Sequence, residues 1–101
     1  MSAKVSVFLI TRNEEARLGQ TLAALQWADQ IVVVDSGSTD RTEEIARAAG
    51  AEFEFRDWEG YGQQKSHAES LCRHDWRLNV DADEVVTPDL ASEIKSILDS
   101  R

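Results

Sequence analysis

Two aspartates one residue apart, Asp81 and Asp83, directly follow a strand-like run, WRLNV at residues 76–80. At the end of a strand, both carboxylates can turn toward one point. Their hard oxygens suit Mg²⁺ or Mn²⁺, ions that usually keep open positions for the phosphates of a substrate. The spacing therefore predicts a divalent metal site for phosphate chemistry. A solvated acidic loop before the next helix is the alternative.

A third carboxylate, Asp35, closes an apolar run, IVVV at residues 31–34. A carboxylate at the end of such a strand is costly unless it reaches water or a donor. It can accept a hydrogen bond from a ribose hydroxyl or a base N–H, so Asp35 is a predicted nucleoside contact. Gly37 and Asp40, in the turn that follows, fit ordinary turn and helix-cap positions.

The segment TRNEE follows the first apolar run. Thr11 and Glu14 have the spacing of a capping box, which predicts a helix start without any ligand. The same turn would expose backbone N–H groups at a helix N-terminus, where the polar edges of a nucleotide can bond. Further along, Lys65 is a candidate partner for a phosphate or a base, and Trp58 could cover the face of a sugar.

Four strand patterns alternate with four helix patterns, and this order defines the fold. The strands are predicted at residues 4–10, 31–34, 51–55 and 76–80, and the helices at residues 15–26, 43–49, 63–72 and from 88 onward. Thr87 is the predicted N-cap of the last helix and Pro88 its first residue. The predicted inward stripe of that helix is Leu90, Ile94, Ile97 and Leu98.

The alternation predicts an α/β fold with three layers, in which helices cover both faces of a mostly parallel sheet of strand order 3-2-1-4. Ligands of such sheets bind beyond the carboxyl ends of the strands. The polar residues described above would meet at that edge.

Composition narrows the possible partners. The chain has 101 residues, about one small domain, with a formal net charge of −8. This charge opposes binding to nucleic acids. It also repels the phosphates of a nucleotide, so a nucleotide site needs a metal ion or local basic side chains.

The single cysteine, Cys72, excludes an internal disulfide and a cysteine-rich zinc site. The N-terminus lacks the pattern of a signal peptide, and no apolar run approaches the roughly 20 residues of a membrane span. We therefore expect one cytoplasmic domain without a transmembrane segment, either free or peripheral at the inner membrane face.

Four segments in fixed order resemble the N-terminal half of family 2 glycosyltransferases, and in particular a branch similar to lipopolysaccharide-core glucosyltransferases. The segments are VSVFLITRNEE, WADQIVVVDSGSTDRTEEIARAAGA, WEGYGQQK and WRLNVDADEVVTPDLASEI. The resemblance implies a GT-A, Rossmann-like nucleotide-sugar-binding half. It also implies inverting transfer from a UDP-sugar to a saccharide or lipid-linked acceptor, with Mg²⁺ or Mn²⁺ as cofactor.

By position, the resemblance implies nucleotide contacts for four residues outside the acidic pair. Thr11 and Arg12 would line the nucleotide pocket. Asp35 would contact uracil or ribose, and Lys65 would lie near the base.

The resemblance implies that Asp81 would approach both the ribose and the metal. It implies that Asp83 would hold the metal ion on the diphosphate. In this family the acceptor site and the general base follow the helix after these aspartates, so no catalytic residue is assigned here. The donor half alone is expected to bind its donor weakly and to transfer little or no sugar. A sheet without its further strands would expose an edge and an apolar face, which predicts a homodimer.

Three other interpretations stay open. A sugar nucleotidyltransferase should carry a glycine-rich, basic loop after the first strand, whereas TRNEE has no glycine. A non-catalytic binding or assembly module would leave the acidic loops merely solvated. A phosphoacceptor domain of the response-regulator type would need an aspartate at the end of the third strand, which here ends in Phe55, Arg56 and Asp57.

Overall fold

The computed structural model describes residues 3–99, in which four strands alternate with four helices as predicted. The strands are β1 (Val5–Thr11), β2 (Gln30–Asp35), β3 (Glu52–Phe55) and β4 (Trp76–Asn79). The helices are α1 (Leu18–Ala23), α2 (Thr42–Ala48), α3 (Tyr61–Ser70) and α4 (Pro88–Asp99). The strands form one parallel sheet in the order β3-β2-β1-β4, so the predicted order is confirmed.

The register of the sheet brings the carboxyl ends of β1, β2 and β4 to one edge. Thr11, the last residue of β1, lies opposite Asp35, the last residue of β2. On the other side of β1, Phe8 lies opposite Asn79 at the end of β4, and the N–H of Val80 donates to the carbonyl oxygen of Phe8. The loop after β1 therefore lies between the loop after β2 and the loop after β4.

Helices cover both faces of the sheet, as predicted. One face of β1 and β2 packs against the buried side of α1, in a cluster that includes Val7, Leu9, Val33, Leu18, Leu22 and Leu25. The opposite face packs against α3 and the turn after it, in a cluster of Phe8, Val32, Val34, Ala68 and Cys72. Burying each large aliphatic side chain stabilises the fold by roughly 1.5–3 kcal/mol.

Helix α1 is shorter than the predicted helix at residues 15–26. Tight turns replace its two ends: the N–H of Arg17 donates to the carbonyl of Glu14, and the N–H of Ala28 to the carbonyl of Leu25. Bonds of this three-residue spacing wind the chain more tightly than an α-helix. Apolar periodicity predicted the buried face correctly but not the length of the helix.

Helix α4 begins as predicted, because the N–H of Leu90 donates to Thr87 Oγ1 at 3.2 Å. Its predicted inward stripe is wrong at two positions, since Leu90 is 42% exposed and Ile97 51% exposed. Leu98 is buried, and Ala91 packs against the core cluster that contains Val7 and Leu9. Ala91 and Leu98 are seven residues apart, two helical turns, so they define the facing stripe and turn Leu90 and Ile97 to its flank.

Strands β3 and β4 form the two edges of the sheet. Phe55 at the end of β3 and Trp76 at the start of β4 are both more than one-third exposed. Self-association through an exposed edge or face stays a prediction. Among residues 3–99, none of the helices has the length and apolar character needed to cross a membrane.

Candidate functional site

An open cleft of about 270 Å³ lies at the carboxyl ends of β1 and β2. It is lined by Ile10, Thr11, Arg12, Glu14, Ser36, Trp58 and Tyr61. Two of the predicted nucleotide residues, Thr11 and Arg12, are therefore in its wall. Lys65 lies one turn further along α3 than Tyr61 and is half-buried outside the lining.

An aromatic pair forms one wall of the cleft. The rings of Trp58 and Tyr61 meet edge to face, with centroids 4.8 Å apart and planes at 89°. Both side chains stay well exposed, at 46% and 70%. Exposed aromatic rings beside a polar cleft offer a flat apolar surface to a planar or sugar-like ligand.

The segment that carries Trp58 is fixed from below by a buried glutamine. Gln64, fully buried in α3, donates from Nε2 to the carbonyl of Arg56 at 3.2 Å and accepts from Arg56 Nη1 at 3.3 Å. The N–H of Arg56 in turn donates to the carbonyl of Asp35 at 2.8 Å. Sequence reasoning did not select Gln64, Ser36 or Tyr61; the glycines on either side of Tyr61 were the available signal for a loop that presents it.

Asp35 lies beneath the cleft rather than in its lining. It is 3% exposed, and its carboxylate accepts four hydrogen bonds from within the protein. Thr11 Oγ1 and Ser38 Oγ donate to Oδ1 at 2.7 and 2.6 Å, and the N–H groups of Gly37 and Ser38 donate to Oδ2 at 2.9 and 2.7 Å. A direct contact between Asp35 and a ligand would require one of these bonds to open.

These bonds also set the protonation of Asp35. Burial raises the pKa of its carboxyl, but hydrogen bonds from Ser38, Thr11 and Gly37 outweigh burial and hold the pKa below its ordinary value of 3.8. A group whose pKa is lower in the folded state contributes stability above its unfolded pKa and loses it as the pH falls toward its folded pKa.

We therefore expect the free energy of unfolding to decline as the pH falls below about 4. The decline should be shallower in Asp35→Asn, because that variant no longer has a carboxylate to protonate there. Urea unfolding followed by tryptophan fluorescence between pH 3 and pH 7 measures both slopes. Equal slopes in the two proteins would show that Asp35 does not contribute.

The loops after β1 and β2 are joined by reciprocal hydrogen bonds. The N–H of Asn13 donates to Ser38 Oγ at 2.7 Å, and the N–H of Thr39 donates to Asn13 Oδ1 at 2.8 Å. The N–H of Glu14 donates to Thr42 Oγ1 at 2.9 Å. Asn13 has a φ of 53°, a left-handed conformation that asparagine tolerates better than most residues.

The predicted capping box is wrong. Thr11 belongs to β1 and donates its hydroxyl to Asp35, and α1 begins only at Leu18. The predicted open N–H groups are also wrong for residues 13–15, because all three already donate to side chains. Two of the acceptors, Ser38 and Asp40, lie in the loop after β2, and the third, Thr42, is the first residue of α2. Hydrogen-bond partners about 25 residues away in the sequence therefore take the place of the local capping partners that the spacing predicted.

The acidic turn lies on the other side of β1, at residues 81–84. The N–H of Glu84 donates to the carbonyl of Asp81, and the N–H of Asp81 donates to Glu84 Oε1, which closes the turn. The side chains of Asp81 and Asp83 are not part of the cleft lining. Asp83 Oδ2 lies 3.2 Å from Arg17 Nη1 in a surface ion pair, with 54% of the aspartate side chain exposed.

The donor set of this turn fits Mg²⁺ or Mn²⁺ bound together with a ligand. Asp81 and Asp83 supply exposed, hard oxygen donors, and Mg²⁺ is commonly held by one or two carboxylates plus substrate phosphates and water. Within residues 3–99, no group of three or more histidine, cysteine, aspartate or glutamate side chains is placed to hold an ion by itself. A divalent ion here would therefore need phosphate or water oxygens to complete its coordination.

A parallel sheet of this order, covered by helices and with a cleft and an acidic turn on either side of β1, is an α/β architecture, and similar solved structures identify it as the GT-A type. The family profile described as glycosyl transferase family 2 matches residues 6–100, and the chain belongs to that family. Membership disfavours the nucleotidyltransferase and response-regulator interpretations.

Several curated relatives are glycosyltransferases that are much longer than this chain. An uncharacterized glycosyltransferase of Rickettsia bellii is 44% identical over 102 residues, which is 100% of this chain and 35% of that protein. The lipopolysaccharide core biosynthesis glycosyltransferase LpsC of Rhizobium meliloti is 42% identical over 85 residues, covering 79% of this chain and 32% of LpsC. The chain thus spans about a third of the length of these relatives.

A similar solved structure is that of glucosyl-3-phosphoglycerate synthase from Mycobacterium tuberculosis. Its complex with Mn²⁺, UDP and glucosyl-3-phosphoglycerate has a TM-score of 0.70 and 27% identity, covering 79% of this chain and 33% of the synthase. The same synthase has also been solved with Mg²⁺ and UDP, with a TM-score of 0.72 and 27% identity over 82% of this chain and 34% of the synthase.

Proposed function

We propose that the cleft binds the nucleotide of a UDP-sugar and that the acidic turn binds Mg²⁺ or Mn²⁺ on the diphosphate. The observation that carries the proposal is that the aromatic-walled cleft and the exposed carboxylates flank the carboxyl end of the same strand, β1. A nucleotide lying across that end can reach both. Family membership supports this use of the edge, and so do UDP and divalent ions in the similar synthase.

In this proposal Thr11 and Arg12 line the nucleotide pocket, and the guanidinium of Arg12 offsets phosphate charge in an otherwise acidic protein. The aromatic wall of Trp58 and Tyr61 stacks against the uracil or the sugar, a contact typically worth roughly 1–3 kcal/mol per base. Lys65 approaches the base from α3.

Asp35 has two parts in this proposal. Its four internal bonds hold the loop that presents Ser36 to the cleft, and opening one of them would let its carboxylate accept from uracil or ribose.

Asp81 and Asp83 hold the ion, with Asp81 also near the ribose. The ion, when bound, supplies Lewis-acid stabilisation of the charge that develops on the leaving diphosphate. We propose inverting transfer to a saccharide or lipid-linked acceptor as the activity of the whole protein, in the cytoplasm or at the inner membrane face. No residue of the present chain is proposed as the general base.

Isothermal titration of the chain with UDP tests the proposal. We expect UDP to bind about tenfold or more tightly with Mn²⁺ or Mg²⁺ than with EDTA, because a divalent cation held by Asp81 and Asp83 would offset the repulsion between these carboxylates and the diphosphate. ADP in place of UDP is the matched control for recognition of the base. An affinity for UDP that is unmeasurable or indifferent to metal would favour the alternative, a non-catalytic binding or assembly module.

A further inference from the structure

Helix α1 is bonded to the acidic turn through a buried threonine. Thr21 is fully buried, and its Oγ1 donates a 2.8 Å hydrogen bond to the carbonyl oxygen of Ala82. Ala82 stands between the two aspartates and is itself only 7% exposed. The bond spans 61 residues of sequence and holds the backbone from which both carboxylates project.

A second contact from the same region has a different character. Arg17, directly before α1, pairs with Asp83, but both side chains are more than half exposed. Exposed ion pairs of this kind contribute little and exchange readily with other charges. A cation that binds Asp83 can therefore replace Arg17, whereas the buried bond from Thr21 to Ala82 does not compete with the ion.

We propose that Thr21 is a positioning residue for the metal ligands Asp81 and Asp83, an inference that rests on the function proposed above. Thr21 touches neither the ion nor the nucleotide and acts through the Ala82 carbonyl. Outer partners that hydrogen-bond a metal ligand directly typically change metal affinity or activity roughly 10- to 100-fold when they are lost. Thr21 bonds the backbone between the two ligands, so we expect an effect at the lower end of that range.

Thr21→Val keeps the shape of the side chain and removes the hydroxyl. We expect the gain in UDP affinity on adding Mn²⁺ to shrink about tenfold, while the affinity in EDTA stays that of the wild type. Thr21→Ser, which keeps the hydroxyl, should restore most of the gain. Isothermal titration of the three 101-residue chains with UDP, in Mn²⁺ and in EDTA, gives these quantities directly.

The control for general destabilisation is Leu98→Ala, which removes a buried side chain near Lys4 and Val5. These residues lie at the amino end of β1, away from the acidic turn. It should lower the thermal midpoint and leave the Mn²⁺-dependent gain intact. Thr21→Ala also lacks the hydroxyl and gives the same comparison if Thr21→Val does not fold.

The outcomes separate this inference from the proposed function. If the UDP affinity of the wild-type chain is the same in Mn²⁺ and in EDTA, both the proposed function and this role of Thr21 are wrong. If Mn²⁺ raises the UDP affinity of the wild type and of Thr21→Val or Thr21→Ala by the same factor, only the role of Thr21 is wrong. Failure of Thr21→Ser to restore the gain, or an equal loss in Leu98→Ala, also overturns it.

Discussion

Asp83→Ala is expected to bind UDP equally well in Mn²⁺ and in EDTA, because the variant lacks one of the two carboxylates proposed to hold the ion. With few protein ligands available, losing one leaves a single carboxylate and the phosphates to hold the ion. Outer partners of metal ligands already cost roughly 10- to 100-fold in affinity, so losing a direct ligand should cost on the order of 100-fold or more in Mn²⁺ binding. Titration of Mn²⁺ followed by electron paramagnetic resonance, with UDP present, measures this loss.

The matched control is Asp75→Ala, which removes the same charge from an exposed position between α3 and β4, beside Lys4 at the amino end of the sheet. Both variants lose one negative charge, so the long-range attraction between the protein and the cation falls by a similar amount in each. Only Asp83→Ala also loses a direct ligand of the ion. Equal, small effects in the two variants would mean that Asp83 does not hold the ion. The ion pair of Asp83 with Arg17 would then be its whole role.

The second large effect concerns folding. Asp35→Ala should lower the free energy of unfolding by about 3 kcal/mol or more, because it leaves four donors at the ends of β1 and β2 without their acceptor. Two of these donors are backbone N–H groups, which cannot turn away. Against a usual total stability of about 5–15 kcal/mol, this loss is severe. Urea unfolding at pH 7, followed by tryptophan fluorescence, measures it.

Asp29→Ala is the control for this prediction. Asp29 is exposed, and its carboxylate accepts one hydrogen bond, from the N–H of Val5 at 2.9 Å. Its loss should cost about 1 kcal/mol. If Asp35→Ala were no less stable than Asp29→Ala, the four bonds to Asp35 would not be what holds the loop at the edge of the cleft.

The strand order and the shared edge of the site could be predicted because they follow from alternation alone. The apolar run at residues 31–34 and the strand-like run at residues 76–80 alternate with helix patterns, which indicates a parallel sheet. Right-handed crossovers leave few arrangements for four such units. The position of Asp35 at the end of β2 and of Asp81 beyond β4 follows from the same argument. Thr87 could be identified as a cap because its bond is local.

The details of the site depend on partners that are distant in the sequence. The spacing of Thr11 and Glu14 fits a local cap, yet their partners are Asp35 and Thr42, which only the parallel pairing of β1 with β2 brings near. The pairing of Arg17 with Asp83 spans 66 residues and leaves no periodic signal. Sequence patterns report on one element at a time, and they do not report which side chains of two loops meet.

The reciprocal bonds between the loops after β1 and β2 have a consequence for the design of hybrid proteins. Each loop completes the hydrogen bonding of the other, with Asn13 and Ser38 at the centre of the exchange. Replacing one loop alone with that of a relative would leave N–H donors in both loops without acceptors. Replacing both loops together would keep donors and acceptors matched. We therefore expect substitutions at Asn13 and Ser38 to covary as the protein diverges, because a change in one loop removes a hydrogen-bond partner from the other.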